Sequence, residues 1–222
     1  MKIQIIGADS AFDGLNTSFF FRDNLGRGIL VDCGFTVFPE LNRRGMLGDV
    51  DIVLVSHPHG DHTGSLTKLA AYQHFVFGKK LISGGHEWLP DLFRIQGILP
   101  EHYNSLPADD PLNLKIIPNK HIAAHGHNNA LFIADTIFYS GDTNENLLDT
   151  DYARDSKIIF HEVALNSPAA HVRLADLATA APEVKTKTWL IHIPTHERAE
   201  IERLAAEYGF AGVCYNGQEI EV

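Results

Sequence analysis

The densest group of potential metal ligands in the sequence is the segment HPHGDH, which begins at residue 57. It directly follows DIVLV, an apolar run typical of a strand that is buried on both faces. In an extended chain, residues two apart point the same way, so His57 and His59 can bind one ion together. Gly60 permits a turn, after which Asp61 and His62 face a second position. Imidazole with carboxylate is a ligand set typical of zinc, and it also suits iron or manganese.

Further candidate ligands lie later in the chain, each close to a predicted strand end. Asp142 lies in YSGDT, where its carboxylate can bridge two ions. His192 lies inside the apolar run LIHIP, where a buried imidazole needs a partner. Taken alone it would be interpreted as a core histidine with a hydrogen-bond partner, but the earlier histidine cluster favours a ligand role. The segment PNKHIAAHGH holds three histidines, of which His121 is the expected ligand because it follows a predicted strand. His125 and His127 remain alternatives.

Short strands and helices alternate along the chain and must position these residues. No repeat or long linker interrupts them, so we expect residues 1–222 to form one domain. The pattern predicts an α/β fold with mixed sheets and helices outside them. Predicted strands cover 2–6, 17–22, 28–31, 51–55, 80–82, 112–117, 130–134, 136–140, 157–160 and 189–193. Predicted helices cover 62–77, 87–98, 171–181 and 197–208, and residues 212–222 suggest a hairpin that turns at Asn216-Gly217.

The composition excludes several classes of protein. Lys plus Arg is 18 and Asp plus Glu is 28, which gives a formal net charge of −10. Duplex nucleic acid is therefore an unlikely partner, because binding it requires cations that replace counterions, whereas a small anionic substrate drawn to bound metal is compatible. Cys33 and Cys214 form no CxxC pair and are expected to be free thiols. The N-terminus lacks a signal-peptide pattern, and no apolar run reaches the ~20 residues of a membrane span, so we expect a cytoplasmic protein.

Over essentially its whole length the chain resembles the metallo-β-lactamase superfamily. The matching elements occur in the family's order: VDCG at 31–34, HPHGDHTG at 57–64, a later histidine, SGDT at 140–143 and a histidine at a strand end. The resemblance implies an αββα sandwich with two divalent metal ions between the sheets. Zinc is expected, with manganese or iron(II) as alternatives. The implied ligands of the first ion are His57, His59 and His121, those of the second are Asp61, His62 and His192, and Asp142 is the bridge.

Two features resemble the branch that contains tRNase Z and the small cyclic-nucleotide phosphodiesterases. IFHEV at 159–163 is similar to that branch's glutamate-bearing strand, and His171 precedes the segment leading to His192. In that branch a histidine at this place acts as general acid and a glutamate orients it, which implies these roles for His171 and Glu162. Val172 departs from the branch's usual Ser or Thr. The chain has no room for the basic arm with which tRNase Z grips tRNA.

The residues and the resemblance together predict a dinuclear metal-dependent hydrolase, a phosphodiesterase acting on a small or single-stranded phosphodiester such as a cyclic nucleotide. Metal-activated hydroxide, oriented by Asp61, is expected to attack phosphorus, while His171, held by Glu162, protonates the leaving alkoxide. The alternative is a carbonyl hydrolase (lactonase, thioesterase or β-lactamase-like), which would share the metal centre without needing the histidine–glutamate pair. A non-enzymatic sensor is a third hypothesis, which the complete ligand set weakens. Family members of this kind are often dimers, so a homodimer is the oligomer to test.

Two irregular segments are candidates for the walls of the substrate pocket. Residues 83–88, SGGHEW, combine glycine, histidine and tryptophan and can offer a stacking surface to a base. Residues 12–16, FDGLN, are a candidate for another part of the rim. For residues 83–88 the simpler interpretation is an ordinary strand-to-helix turn with a tryptophan that packs the helix.

Overall fold

The computed structural model describes residues 1–122, 127–166 and 169–222, and the strands of these ranges form two sheets. The strands are β1 Lys2–Gly7, β2 Ser18–Arg22, β3 Gly28–Val31, β4 Ile52–Leu54, β5 Leu81–Gly84, β6 Tyr103–Ser105, β7 Lys115–Pro118, β8 Asn129–Ile133, β9 Ile137–Tyr139, β10 Ile158–Glu162, β11 Thr188–Ile191, β12 Gly212–Val213 and β13 Glu219–Glu221. The α-helices are α1 Val37–Arg43, α2 Gly60–Thr63, α3 Leu66–Phe77, α4 Leu89–Ile95, α5 Asp151–Asp155, α6 Leu174–Leu177, α7 Pro182–Lys185 and α8 Arg198–Tyr208. Short 3₁₀ turns cover Leu47–Asp49 and Pro100–His102. None of these helices is both long and apolar enough to cross a bilayer.

Both sheets are mixed, as the sequence predicts. The first has the order β13-β1-β2-β3-β4-β5-β6 and is antiparallel up to β3 and parallel beyond it. The second has the order β12-β11-β10-β9-β8-β7 and is parallel from β12 to β9. β8 is antiparallel to both of its neighbours, β9 and β7, so β7 runs in the same direction as β9. The carboxyl ends of β7, β9, β10 and β11 therefore meet at one edge of this sheet.

Strand alternation divides the buried side chains among three apolar layers. Ile3 and Ile5 of β1 pack between the two sheets, whereas Ile6 faces α1, α3 and α4 on the outer side. Phe19 and Phe20 of β2 divide in the same way. A third layer lies between the second sheet and α5 to α8. The molecule is thus built of helices, sheet, sheet and helices, with the deepest core between the sheets.

Two sequence predictions about the last third of the chain are wrong. Residues 171–181 do not form one helix, because α6 covers four residues and Ala181 is extended before α7 begins at Pro182. The last two strands do not form a hairpin, since β12 pairs with β11 and β13 pairs with β1. β12 is an edge strand of the second sheet and β13 an edge strand of the first. Their side chains pack in different layers, since Val213 lies in the layer under the helices and Ile220 in the layer between the sheets.

Candidate metal centre

The predicted ligands lie where strands of the two sheets end. β4 leads directly to His57, and α2 then turns the chain so that Asp61 and His62 follow within one short helix. β9 leads to Asp142, and β11 ends at Ile191 just before the strand-end histidine. His192 has a φ of 60°, which is left-handed backbone and strained for a histidine. The fold therefore holds this residue in a conformation that it would seldom adopt alone.

The structure brings all seven predicted metal ligands together in two adjoining groups. Within each group, one potential ligand atom per residue lies within 4.8 Å of the others. The first group is His57, His59 and His121, and the second is Asp61, His62, Asp142 and His192.

Asp142 lies between the two groups. One of its carboxylate oxygens, Oδ2, is 3.8 Å from Nε2 of both His57 and His121 and 3.3 Å from Nε2 of His192. The other, Oδ1, is 3.3 Å from Nε2 of His62. A single carboxylate thus contacts imidazoles of both groups, which is the arrangement that a bridging ligand requires.

His121, His125 and His127 were the three alternatives for one ligand position, and the structure describes two of them. His121 follows β7 and joins the first group. The ring of His127 lies 6.5 Å from that of Trp88, and among the described residues it belongs to neither group. His125 lies outside the described residues.

Asp32 is the buried hub that orients two of the imidazoles. Its carboxylate accepts hydrogen bonds from Nδ1 of His62 at 2.7 Å and from the hydroxyl of Tyr139 at 2.8 Å. It also accepts from both the backbone N–H and the hydroxyl of Ser56, each at 2.8 Å. Because the Ser56 hydroxyl gives its hydrogen to Asp32, it accepts from Nδ1 of His57, 3.0 Å away. Nδ1 of both rings carries a hydrogen, which makes Nε2 the nitrogen that a metal would bind. Nε2 of His57 lies 3.2 Å from Nδ1 of His59.

Two further imidazoles have their tautomers set in the same way. Nδ1 of His121 lies 2.7 Å from the carbonyl oxygen of Ala170, which can only accept, so this nitrogen donates. Nδ1 of His192 lies 3.1 Å from Oγ1 of Thr17. That hydroxyl donates its own hydrogen to the carbonyl of Asp9 at 3.1 Å, so it accepts from the ring. In both histidines Nε2 is left free for metal ligation.

Four buried atoms of the second group fit a cation in particular. They have no hydrogen-bond partner among the described residues, although buried polar atoms normally have one. Two are imidazole nitrogens and two are carboxylate oxygens, which is a donor set that binds divalent metals. These atoms are Asp61 Oδ2, His62 Nε2, Asp142 Oδ1 and His192 Nε2.

The pKa shifts agree with a site that has an excess of buried negative charge. Burial lowers the pKa of His192 to about 4 and that of His57 well below its ordinary value, so both rings are neutral and can bind a metal. Burial also lowers the pKa of His62, but the charges of its carboxylate neighbours outweigh burial and raise this pKa well above the usual range. These neighbours are Asp142, Asp61 and Asp32. A bound cation would neutralise the charge of these carboxylates.

His171 lies at the edge of the centre and is held by Glu162. Its Nδ1 is 2.9 Å from Oε2 of the fully buried Glu162, while Oε1 of that carboxylate accepts from the N–H of Thr143 at 2.9 Å. The ring of His171 is 5.3 Å from that of His121 and 5.4 Å from that of His192. Burial lowers the pKa of His171, but the hydrogen bond and charge of Glu162 outweigh it and raise the pKa to about 9. A protonated imidazole is therefore favoured at the edge of the candidate metal centre.

Sequence reasoning assigned no role to the residues that orient the ligands. Asp32 lies in VDCG, which is part of the family resemblance, so its position after a strand was the available signal. Ser56 and Thr17 offered none, because each meets its histidine only in the folded chain.

Replacing Thr17 with Val should weaken metal binding by about 10- to 100-fold, the usual cost of removing a group that orients a metal ligand. Valine keeps the shape of the side chain but leaves the Nδ1 hydrogen of His192 without an acceptor. Competition with a metal chelator measures the affinity. Thr17→Ser keeps the hydroxyl and should restore binding, and equal affinity in the Val and Ser variants would contradict this role.

Comparison with known proteins shows one family over nearly the whole chain. The sequence model described as anti-Pycsar protein Apyc1 matches residues 1–91 and 82–220. The protein of that name from Paenibacillus harenae is 30% identical, and the alignment covers 86% of this chain and 89% of the relative.

Solved structures show the same fold. The metallo-β-lactamase fold protein YhfI from Bacillus subtilis aligns with a TM-score of 0.79 and 19% identity, covering 100% of this chain and 99% of its own. The short form of human tRNase Z, ELAC1, aligns with a TM-score of 0.75 and 14% identity, again covering 100% and 99%. The expected αββα metallo-β-lactamase fold is thereby confirmed.

Proposed function

Because the chain belongs to the anti-Pycsar protein Apyc1 family, we propose that it is a metal-dependent phosphodiesterase that hydrolyses a small diester of the cyclic-nucleotide type. The observation that carries this proposal is the pairing of His171 with Glu162 beside seven potential metal ligands. An alkoxide is a poor leaving group, so cleavage of an alkyl phosphodiester benefits from a positioned acid. His171 would supply that acid at the edge of the candidate metal centre.

Each group of residues has a separate task in the proposed reaction. Two divalent cations, for which we propose zinc, would polarise the phosphoryl oxygens and lower the pKa of a bound water. Asp61 would orient the attacking water, because its carboxylate lies among the candidate ligands of the second group and can accept a hydrogen bond from that water. His171 donates the proton on Nε2 to the leaving oxygen, since its Nδ1 is engaged by Glu162.

The carbonyl-hydrolase alternative is not favoured. A thioester releases a thiolate, which leaves without a proton, and so gives no reason for a fully buried glutamate that holds a histidine at the edge of the site. Against a lactone or β-lactam the family of the chain is the argument. The substrate we propose is small and anionic, which suits a centre whose metal charge would exceed that of its two carboxylate ligands. A homodimer, a single domain and a cytoplasmic location stay predictions.

The proposal is tested by comparing substrates on metal-loaded protein. We expect protein loaded with zinc, manganese or iron(II) to hydrolyse a 3′,5′-cyclic nucleotide and bis-p-nitrophenyl phosphate, and to turn over a p-nitrophenyl ester and a lactone at least about 100-fold more slowly. Removing the metal with a chelator should abolish activity, and adding metal should restore it. Hydrolysis of the ester or lactone without hydrolysis of either diester would contradict the proposal.

A further inference from the structure

A cavity of about 460 Å³ opens on the side of the metal centre that carries the proton donor. His171 and His192 line its inner part, so it is continuous with the site described above. The rest of its lining is half apolar and half polar, and its volume suits a small organic molecule. The polar residues are Ser10, Asp13, Asn166, His196 and Glu197. The apolar part of the lining is Ala11, Phe12, Val163, Ala164 and Pro194.

Phe12 lines this cavity with a fully exposed ring. The loop that carries it is fastened next to the metal centre: the carboxylate of Asp13 accepts from the Ser10 hydroxyl at 3.0 Å and from the N–H of Thr195 at 2.9 Å. The N–H of Ser10 also donates to the carbonyl of Ile193 at 3.2 Å, directly after a metal ligand. An apolar ring is thus held in water at the rim of the cavity by polar contacts on both sides of it.

The chemistry of a cyclic nucleotide decides which side of the centre its base must occupy. Both ester oxygens of a 3′,5′-cyclic phosphate belong to the same ribose. The oxygen that His171 protonates therefore carries the ribose and its base, and both must lie on the side of the metals where His171 is. That side is the cavity lined by Phe12.

We propose that Phe12, exposed at the rim of this cavity, forms the stacking surface for the nucleobase of the substrate. This inference rests on the proposed function. Every base has an aromatic face, so stacking on Phe12 strengthens binding of each nucleotide without selecting among bases. Asn166 lines the same cavity and is a polar group available to the edge of the base.

The experiment compares Phe12→Ala and Phe12→Trp with the wild type, on 3′,5′-cyclic nucleotides of the four common bases and on the 3′,5′-cyclic phosphate of 1-deoxyribose, which has no base. Phe12→Ala should raise KM for all four nucleotides by about tenfold and change kcat by less than about twofold. KM for the base-free diester should stay the same. Phe12→Trp should keep KM for the nucleotides at or below the wild-type value, since tryptophan also stacks.

Phe75→Ala is the matched control, because Phe75 is another exposed phenylalanine, on α3 and outside the cavity. It should leave KM unchanged for every substrate. Equal effects of Phe12→Ala on the nucleotides and the base-free diester would overturn the inference, and so would an unchanged KM for the nucleotides. If the wild type hydrolysed no phosphodiester at all, the proposed function itself would fail, whereas active wild type with an insensitive Phe12 would overturn the stacking alone. Dissociation of an oligomer by Phe12→Ala, with both substrate classes affected alike, would assign Phe12 to a subunit contact instead.

Discussion

His171→Ala is expected to reduce kcat for a 3′,5′-cyclic nucleotide by about 10²- to 10⁴-fold while slowing bis-p-nitrophenyl phosphate by less than about tenfold. A ribose alkoxide needs a proton in order to leave, whereas p-nitrophenolate leaves without one. The Glu162 carboxylate, 2.9 Å from Nδ1, raises the pKa of His171 and so favours its protonated form. Steady-state kinetics of both substrates at equal metal content measures the difference.

His196→Ala is the control for this prediction. His196 lines the same cavity, but its side chain is mostly exposed, and its loss should change kcat of both substrates by similar small factors. Equal large losses on both substrates, accompanied by loss of metal, would contradict the acid role. They would identify His171 as a ligand, since it can supply a donor atom within 4.8 Å of those of His121 and Asp142.

The same prediction has a second readout in the pH profile of kcat. A general acid works only while it is protonated, so activity should fall as the pH rises through the pKa of His171. Glu162→Gln keeps a hydrogen-bond acceptor but removes the negative charge that raises this pKa. In this variant kcat should therefore begin to fall at a lower pH than in the wild type. If the fall of kcat at alkaline pH occurs at the same pH in both proteins, Glu162 does not control the pKa of His171.

Asp142→Asn is expected to reduce the metal content of the purified protein and to lower kcat/KM by on the order of 10³-fold, since metal catalysis contributes several kcal/mol. The carboxylate of Asp142 contacts imidazoles of both ligand groups, with distances of 3.3 Å to His62 and His192 and 3.8 Å to His57. An amide presents only one oxygen and no charge, so neither group keeps its shared ligand. Metal analysis and kinetics measure the two effects.

A second measurement separates metal loss from misfolding. Added divalent metal should raise the thermal unfolding midpoint of the wild type, because a ligand that binds only the folded state stabilises it, and should raise that of the variant much less. Asp149→Asn changes an exposed carboxylate in the same segment and should behave as the wild type in every assay. Full metal content in Asp142→Asn would show that Asp142 is not the bridge.

The sequence alone predicted most of the candidate metal centre, because most of its ligands are encoded locally. Four of them fall within six residues after one buried strand, where strand and turn geometry control their directions. Asp142 and His192 were predictable because a polar residue at the end of an apolar strand needs a partner. The mixed α/β architecture likewise followed from the alternation of strands and helices and from the family resemblance.

The pairing of the last strands was not predictable from local pattern. The turn residues Asn216-Gly217 favour a hairpin, but the Asn216 side chain accepts a hydrogen bond from the N–H of Ala8, and the two flanking strands join different sheets. The burial of Val213 and Ile220 in separate layers outweighs the local turn preference. The predicted helix over 171–181 was wrong for a related reason: the N–H of Val172 bonds to the carbonyl of Thr143, which keeps this stretch extended beside Glu162.

The sequence therefore determined which side chains are available as ligands and, in outline, which strands present them. Only the tertiary structure decided which nitrogen of each imidazole is free for a metal. That choice depends on the partner of the other nitrogen, and Thr17 reaches His192 across 175 residues of chain while Asp32 reaches His62 across 30. Local periodicity carries no information about such contacts, because they form only when the two sheets pack together.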